Sequence, residues 1–282
     1  MKSAPGFGTF LLLLVLACGS VLPRPSQADD LVRAFLLPEL FDIMATEGRN
    51  SVLEDGATPL QGNALALFRN DVTMIYQPER MLAEFATALE TELARTPDAR
   101  ADALEFAATD PGRRILRLEL AARDALLDDD VNRFARMALD DARSSTAESQ
   151  AARRLELVRA RIDANDLVEL NVALGLNTSF AYYRGMMAEN AVQGMTSEML
   201  LQLVWAQEPD IRAEIEDWIE SYFLMAYQPL AAAEMEDYVA YVGTPLAQEF
   251  NRAMFRAFDT VFSEISFQVG RALGRRLNVE EL

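Results

Sequence analysis

The sequence predicts an all-α fold, a bundle of about ten helices with no sheet. Three observations lead there. Apolar residues make up 51% of the chain, with alanine and leucine dominant. They recur at helical spacing, without the sustained alternation that a half-buried strand produces. Glycine and proline are sparse, 13 and 11 of 282 residues, and they fall mostly between the apolar stretches, where they punctuate helices.

The first element is MKSAPGFGTFLLLLVLACGSVLPRPSQADD. One cation, Lys2, precedes an apolar run from about Phe10 to Leu22, and Pro23 and Pro25 end it. Ser26-Gln27-Ala28 then places small residues at the two positions that signal peptidase reads. The expectation is a secretory signal peptide over residues 1–28, cleaved after Ala28, followed by one helical domain over 29–282 that is periplasmic or secreted. The same segment supports an alternative. Val15-Leu16-Ala17-Cys18 resembles a lipobox, which would put a lipid anchor on Cys18 and make the protein an envelope lipoprotein. No later apolar run reaches the roughly 18–20 residues needed to span a bilayer. Glu169, Asn171, Asn177 and Arg184 interrupt the longest, Leu167–Met187.

Ten helical segments follow, at roughly Asp30–Glu47, Gly62–Tyr76, Glu79–Ala94, Asp98–Thr109, Pro111–Arg143, Ala147–Glu189, Thr196–Gln207, Pro209–Ala226, Ala231–Val242 and Pro245–Arg276. Gly48–Gln61 reads as the longest loop. In the last segment Leu246, Phe250, Met254, Phe258, Val261 and Ile265 recur at steps of four and three, on one helix face. Phe255, Phe262 and Val269 make a second stripe. Leu167–Tyr183 is apolar on nearly all sides and is the expected central helix.

Two segment junctions share a pattern. In FAATDPGRRI (106–115) and YVGTPLAQEF (241–250), 135 positions apart, an aromatic is followed by Thr, a small residue and a large apolar residue at steps of three. Thr244 suits an N-cap and Pro245 the first helical position, with Gly243 ending the preceding helix in a left-handed conformation. In the first copy the expected cap is Asp110, followed by Pro111. Thr109, Asp110, Pro111, Gly112, Thr244 and Pro245 are thus structural corners. At the same offset Asp102 meets Asp237, Arg117 meets Arg252 and Asp124 meets Asp259, so two related hairpins are expected in halves at about 79–143 and 209–276.

The runs FAATDPGRRILRLELAARDALLD (106–128) and AYQPLAAAEMEDYVAYVGTPLAQEFNRAMFRAFDTVF (226–262) resemble the exported bacterial family designated domain of unknown function 2059. The mature chain is similar to alphaproteobacterial members with this double layout. The resemblance implies an all-helical envelope protein and carries no catalytic residues to transfer. Ala247 stands where that family usually has the glycine seen at 112, which implies a slightly wider second corner.

Composition excludes more than it assigns. Cleavage after Ala28 removes Lys2, Arg24 and the only cysteine, leaving 24 arginines against 44 acidic residues, a charge of about −20. Histidine is absent, and no lysine remains. A mature chain without these residues has no disulfide, no thiol nucleophile, no Ser-His-Asp triad, no His or Cys zinc site and no Schiff-base lysine. The negative balance opposes nucleic acid and anionic lipid as partners. No catalytic, cofactor-binding or metal residues are assigned.

Four constellations remain. Asp128-Asp129-Asp130 lacks the spread of ligands of a calcium loop and reads as a solvated helix break or N-cap. Glu119 and Arg123 suit an ion pair along one helix. Met186, Met187, Met195 and Met199 read as core filler rather than a Cu(I) site, since no histidine or cysteine joins them. Glu169, Asn171, Asn177 and Arg184 sit on the helix expected to be most buried, and mark either a structural polar set or a polar pocket. The function this supports is a non-catalytic binding or interaction module, facing an envelope protein or an apolar ligand. The alternatives are a carboxylate-dependent hydrolase of cell-wall glycan and a carrier of an apolar ligand.

Overall fold

The computed structural model describes residues 27–56, 60–192 and 194–280; the lipobox cysteine, Cys18, lies outside them. Among the described residues there are thirteen α-helices and no strand: α1 (Gln27–Ala34), α2 (Leu37–Ser51), α3 (Gly62–Ile75), α4 (Pro78–Leu93), α5 (Pro97–Ala108), α6 (Asp110–Ala125), α7 (Asp129–Ser144), α8 (Gln150–Asp163), α9 (Leu167–Ala188), α10 (Ser197–Trp205), α11 (Glu208–Ala226), α12 (Ala232–Val242) and α13 (Pro245–Glu280). Ala28 is the second residue of α1. The chain is all-α, as its sequence predicts. No described helix is long and apolar enough to cross a membrane.

The count exceeds ten because three expected segments each break in two. Leu36 (φ 53°) separates α1 from α2, and Asp166 (φ 51°) separates α8 from α9. A single left-handed residue redirects the chain, at a cost that packing must offset. Between α6 and α7 the break is polar. The Asp128 carboxylate accepts from the N–H groups of Asp130 (2.9 Å) and Val131 (3.2 Å), capping α7. The expected loop at 48–61 is shorter than the sequence predicts, because α2 runs to Ser51 and a π-helical turn, Val52–Gly56, follows.

Two large apolar cores and a small one, Leu139, Ala142 and Leu155, form among the described residues. The first gathers α1 to α5 around α13, with Phe41, Phe68, Phe85 and Met81 fully buried. Phe41, Phe85 and Phe258 pack ring to ring, with centroids 4.5–6.0 Å apart. Burying one such side chain is worth about 1.5–3 kcal/mol, so this cluster anchors the first core. The second core joins α6, α8, α11 and α12 with the start of α9, around Ile219, Phe223, Tyr227 and Met235.

The central helix is α13, and this corrects the expectation for Leu167–Tyr183. Helix α9 is only half covered; its buried positions are Leu167, Val172, Ala181 and Gly185. The 36-residue α13 packs on α9, α3, α4 and α5. Its enclosed face is also rotated from the expected stripe. Phe250, Ala253, Ala257, Val261, Ile265, Val269 and Ala272 are buried, whereas Leu246 is exposed. Alanines carry much of that face because other helices approach closely there.

The closest approach is between α9 and α13. A Cβ on Gly270 would lie 1.9 Å from the Tyr182 carbonyl oxygen, and one on Gly185 would lie 2.2 Å from the Phe267 carbonyl oxygen. The two glycines interlock backbone against backbone, leaving no side chain free to yield. Gly270→Ala is therefore expected to lower stability by about 1–3 kcal/mol or more through overpacking, measured by urea unfolding. A midpoint equal to that of the unsubstituted protein would show that this contact does not set the spacing.

Candidate functional site

The two corners are real turns, and they meet. At the first, Thr109 rather than Asp110 is the N-cap. Its Oγ1 accepts from Gly112 N–H at 3.0 Å and donates to the Phe106 carbonyl at 2.7 Å, while Asp110 and Pro111 begin α6. A Thr hydroxyl one residue before Asp110 already faces the N–H three positions on, so the aspartate is displaced into the first turn. At the second, Thr244 Oγ1 accepts from Ala247 N–H at 3.3 Å, ahead of Pro245. Gly243 is right-handed (φ −78°), not left-handed, since a 3.1 Å bond from its N–H to Val239 finishes α12 without an inversion. The cap distance is longer where alanine replaces glycine. A Cβ on Gly112 would lie 2.0 Å from the Phe106 carbonyl oxygen. Phe106 stacks on Tyr241 with centroids 4.2 Å apart and planes 10° apart, so the corner aromatics close on each other.

The polar set on α9 does not share one set of partners. Glu169 is forked by Arg212 at 2.6 and 2.9 Å, and this guanidinium holds its carboxyl below the usual range. Asn177 donates to Asp259 at 2.9 Å, and Asn171 to the Leu167 carbonyl at 2.8 Å. Arg184 lies over the Phe180 and Phe267 rings. Glu169, Asn177 and Arg184 are solvent-exposed, because α9 is covered on one side only.

Glu119 and Arg123 do not pair either. Arg123 turns to Glu47 on α2, at 2.6 Å, and lies over Trp218. Glu119 turns inward. Its Oε1 accepts from the hydroxyls of Tyr227 (2.5 Å) and Tyr238 (3.1 Å), and its backbone carbonyl accepts from Tyr222 (3.0 Å). Beside it is Arg161 of α8, only 9% exposed, its guanidinium 5.3 Å from the centroids of both Phe223 and Tyr238. Burial opposes the Arg161 charge, but Tyr238, Tyr227 and Glu119 outweigh it and keep the group protonated. The sequence reading missed Arg161. Its signal was there: Leu155, Val158 and Ile162 define the buried face of α8, and position 161 falls on that face.

An open concavity lies elsewhere, on the surface between α7, α8 and α11. It is an open groove of about 590 Å³ lined by Ala135, Ala138 and Ala142 of α7, Ala151 of α8, and Leu224 and Met225 of α11. Phe134 lines it and is 62% exposed. Alanines at steps of three and four leave a shallow floor that another helix can approach. Met199, Leu201, Leu203 and Trp205 on α10 are exposed as well, but their spacing of two spreads them over two sides of the helix. Among the described residues no group of three or more carboxylates has the spacing to hold a metal ion.

No protein-family model matches the chain, and neither a curated protein nor a solved structure matches it.

Two measurements follow from this geometry. Gly112→Ala should cost about 1–3 kcal/mol by forcing the corner apart, whereas Ala247→Gly should cost only about 1 kcal/mol through helix propensity. Equal effects in thermal unfolding would mean that the two corners have the same clearance. The second concerns pH. Burial is the leading cause that pushes Tyr76 up to about 12 and raises Tyr222, Tyr227, Tyr238 and Tyr241 as well, the nearby Glu119 or Asp102 charge adding to the last four. These phenols ionise more readily in the unfolded chain, near pH 10. Their contribution is therefore whole below pH 10 and is lost as pH rises from there towards 12 and above. Phenolate absorbance should rise together with loss of helical circular dichroism; early ionisation with the fold intact would contradict the burial.

Proposed function

We propose that this is an exported, non-catalytic binding module that holds an amphipathic helix of an envelope protein in the groove between α7, α8 and α11. The observation that carries it is Phe134, a large aromatic left 62% exposed on the rim of an open apolar groove floored by alanine. Exposed apolar concavities of this size are uncommon unless something occupies them. Small residues on the floor favour a helix, whose backbone can come close, over a flexible acyl chain, which needs enclosure. The mature charge of about −20 favours a partner with cationic flanks beside its apolar face.

The signal-like leader supports export to the periplasm, with the lipid-anchored form through Cys18 as the alternative. The likeness to the domain of unknown function 2059 supports the same compartment. Internal duplication completes the reading. Shifted by 135 positions, α5 falls on α12 and the start of α6 on the start of α13, with α6 and α7 together spanning what α13 covers as one helix.

The test replaces Phe134 with a photo-crosslinking benzoylphenylalanine in the native host. A discrete protein adduct is expected, its cross-linked peptide an amphipathic helix, and Ala138→Glu in the same chain should abolish it. Ala138 is exposed, so that substitution leaves the fold intact. Adducts consisting of lipid would replace this reading with carriage of an apolar ligand, and absence of any adduct would end it.

A further inference from the structure

A smaller cavity, of about 150 Å³, lies behind the stacked corner aromatics. Phe106 and Tyr241 wall it on one side, and Phe35, Phe250 and Met254 give it an apolar body. Arg161 and Glu119 line it as well. Beyond the same aromatic wall is an outer cleft of about 330 Å³ between the first corner and α12, with the Arg114–Glu234 ion pair at its edge. A guest reaching the inner cavity from that side would pass between the Phe106 ring, stacked on its neighbour, and the Tyr241 ring, whose hydroxyl also donates to Asp102 at 3.1 Å.

The polar groups inside are incompletely matched. Phe223 and Tyr238 both lie against the Arg161 guanidinium, whose carbon is 5.3 Å from each ring centroid, and aromatic rings leave its N–H donors without an oxygen acceptor. Nε and Nη1 are buried and have no hydrogen-bond partner. Glu119 receives both phenols on Oε1, and its second oxygen accepts no hydrogen bond among the described residues. Asn165 and Asn251, also at the cavity, direct their amide N–H groups to the backbone carbonyls of Val242 and Asn165. Buried donors without partners are rare and call for an explanation.

The ligand class follows from charge balance. An uncharged hydrocarbon would leave the Arg161 donors unpaired. A simple anion would leave the interior with an excess negative charge beside Glu119. A guest bearing a carboxylate and an ammonium on the same carbon satisfies both ends and keeps the pair neutral. The remaining walls are apolar, and the volume corresponds to about five waters, within the size range of leucine, isoleucine or methionine. We propose that this cavity binds the zwitterion of an apolar α-amino acid, its carboxylate on Arg161 and its ammonium on Glu119. This site is separate from the surface groove and does not depend on it.

Calorimetry and thermal unfolding of the purified full chain test it, with L-leucine and L-methionine as probes. The controls are 4-methylpentanoate, which lacks the ammonium, and 3-methylbutylamine, which lacks the carboxylate. At least one amino acid should give a saturable rise in Tm, or be released stoichiometrically when the protein is denatured, and both controls should bind at least tenfold more weakly. Glu119→Gln can retain an acceptor for the two phenols and should weaken amino-acid binding at least tenfold. Met254→Trp fills the cavity without touching the charged pair and should abolish binding even if Glu119→Gln fails to fold. If neither amino acid shifts Tm and none co-purifies, the cavity holds water alone and the proposal fails. Binding of 4-methylpentanoate as tight as that of leucine would equally overturn it.

Discussion

The closeness of α9 and α13 is the constraint on which the rest depends. Both helices pass through the interface with a glycine at the point of contact, Gly185 against the Phe267 carbonyl and Gly270 against that of Tyr182. Large side chains at those positions would push the axes apart. Everything that leans on α13, from the Phe41–Phe85–Phe258 cluster to the salt bridge from Arg276 to Asp71 on α3, is positioned from that contact. Dispersion and apolar burial then act over the length of the pair, since close packing lets many weak contacts form together. Neither glycine could be assigned this role from its sequence neighbours, because the atoms it accommodates lie 82 to 88 positions away.

Cations are used sparingly and do several tasks at once. With arginine as the only basic side chain among the described residues, each guanidinium can fork towards a carboxylate or lie against a ring. Arg143 bridges Asp217 and Glu220 between α7 and α11, and Arg123 ties Glu47 on α2 while covering Trp218. Most of these pairs are at least partly exposed, so each adds little to stability. Their effect is on register between helices. Arg161 is the exception: it gives up water for two aromatic faces and a nearby carboxylate, in the interior where an imperfect match is most costly.

The helical class, the corners and most element ends were legible in the sequence, because they are written locally in apolar spacing, in Thr-Pro and Asp-Pro pairs, and in isolated glycines. The breaks at Leu36 and Asp166 were not. Leucine has no preference for the left-handed region, and aspartate, although enriched there, is far more often found in ordinary helical and capping positions, so tertiary contacts decide both breaks. The polar residues of α9 were misplaced for a related reason. An apolar composition all around a helix gives no direction to its exposed side, so Glu169, Asn177 and Arg184 themselves mark the face left open to solvent. The groove and the interior cavity are products of three or more helices meeting. Only Arg161, on the apolar face of α8, carried a local sign of the interior site.

The position of α13 in the chain has a consequence for biogenesis. Residues from Phe250 to Leu273 complete a core whose earliest member is Leu31, so the first five helices emerge with their apolar faces uncovered and wait for the final thirty or so residues. Contacts spanning that much sequence delay closure. Were the chain exported as proposed, such a delay would keep it loose enough to pass through a narrow channel and reserve compaction for the far side.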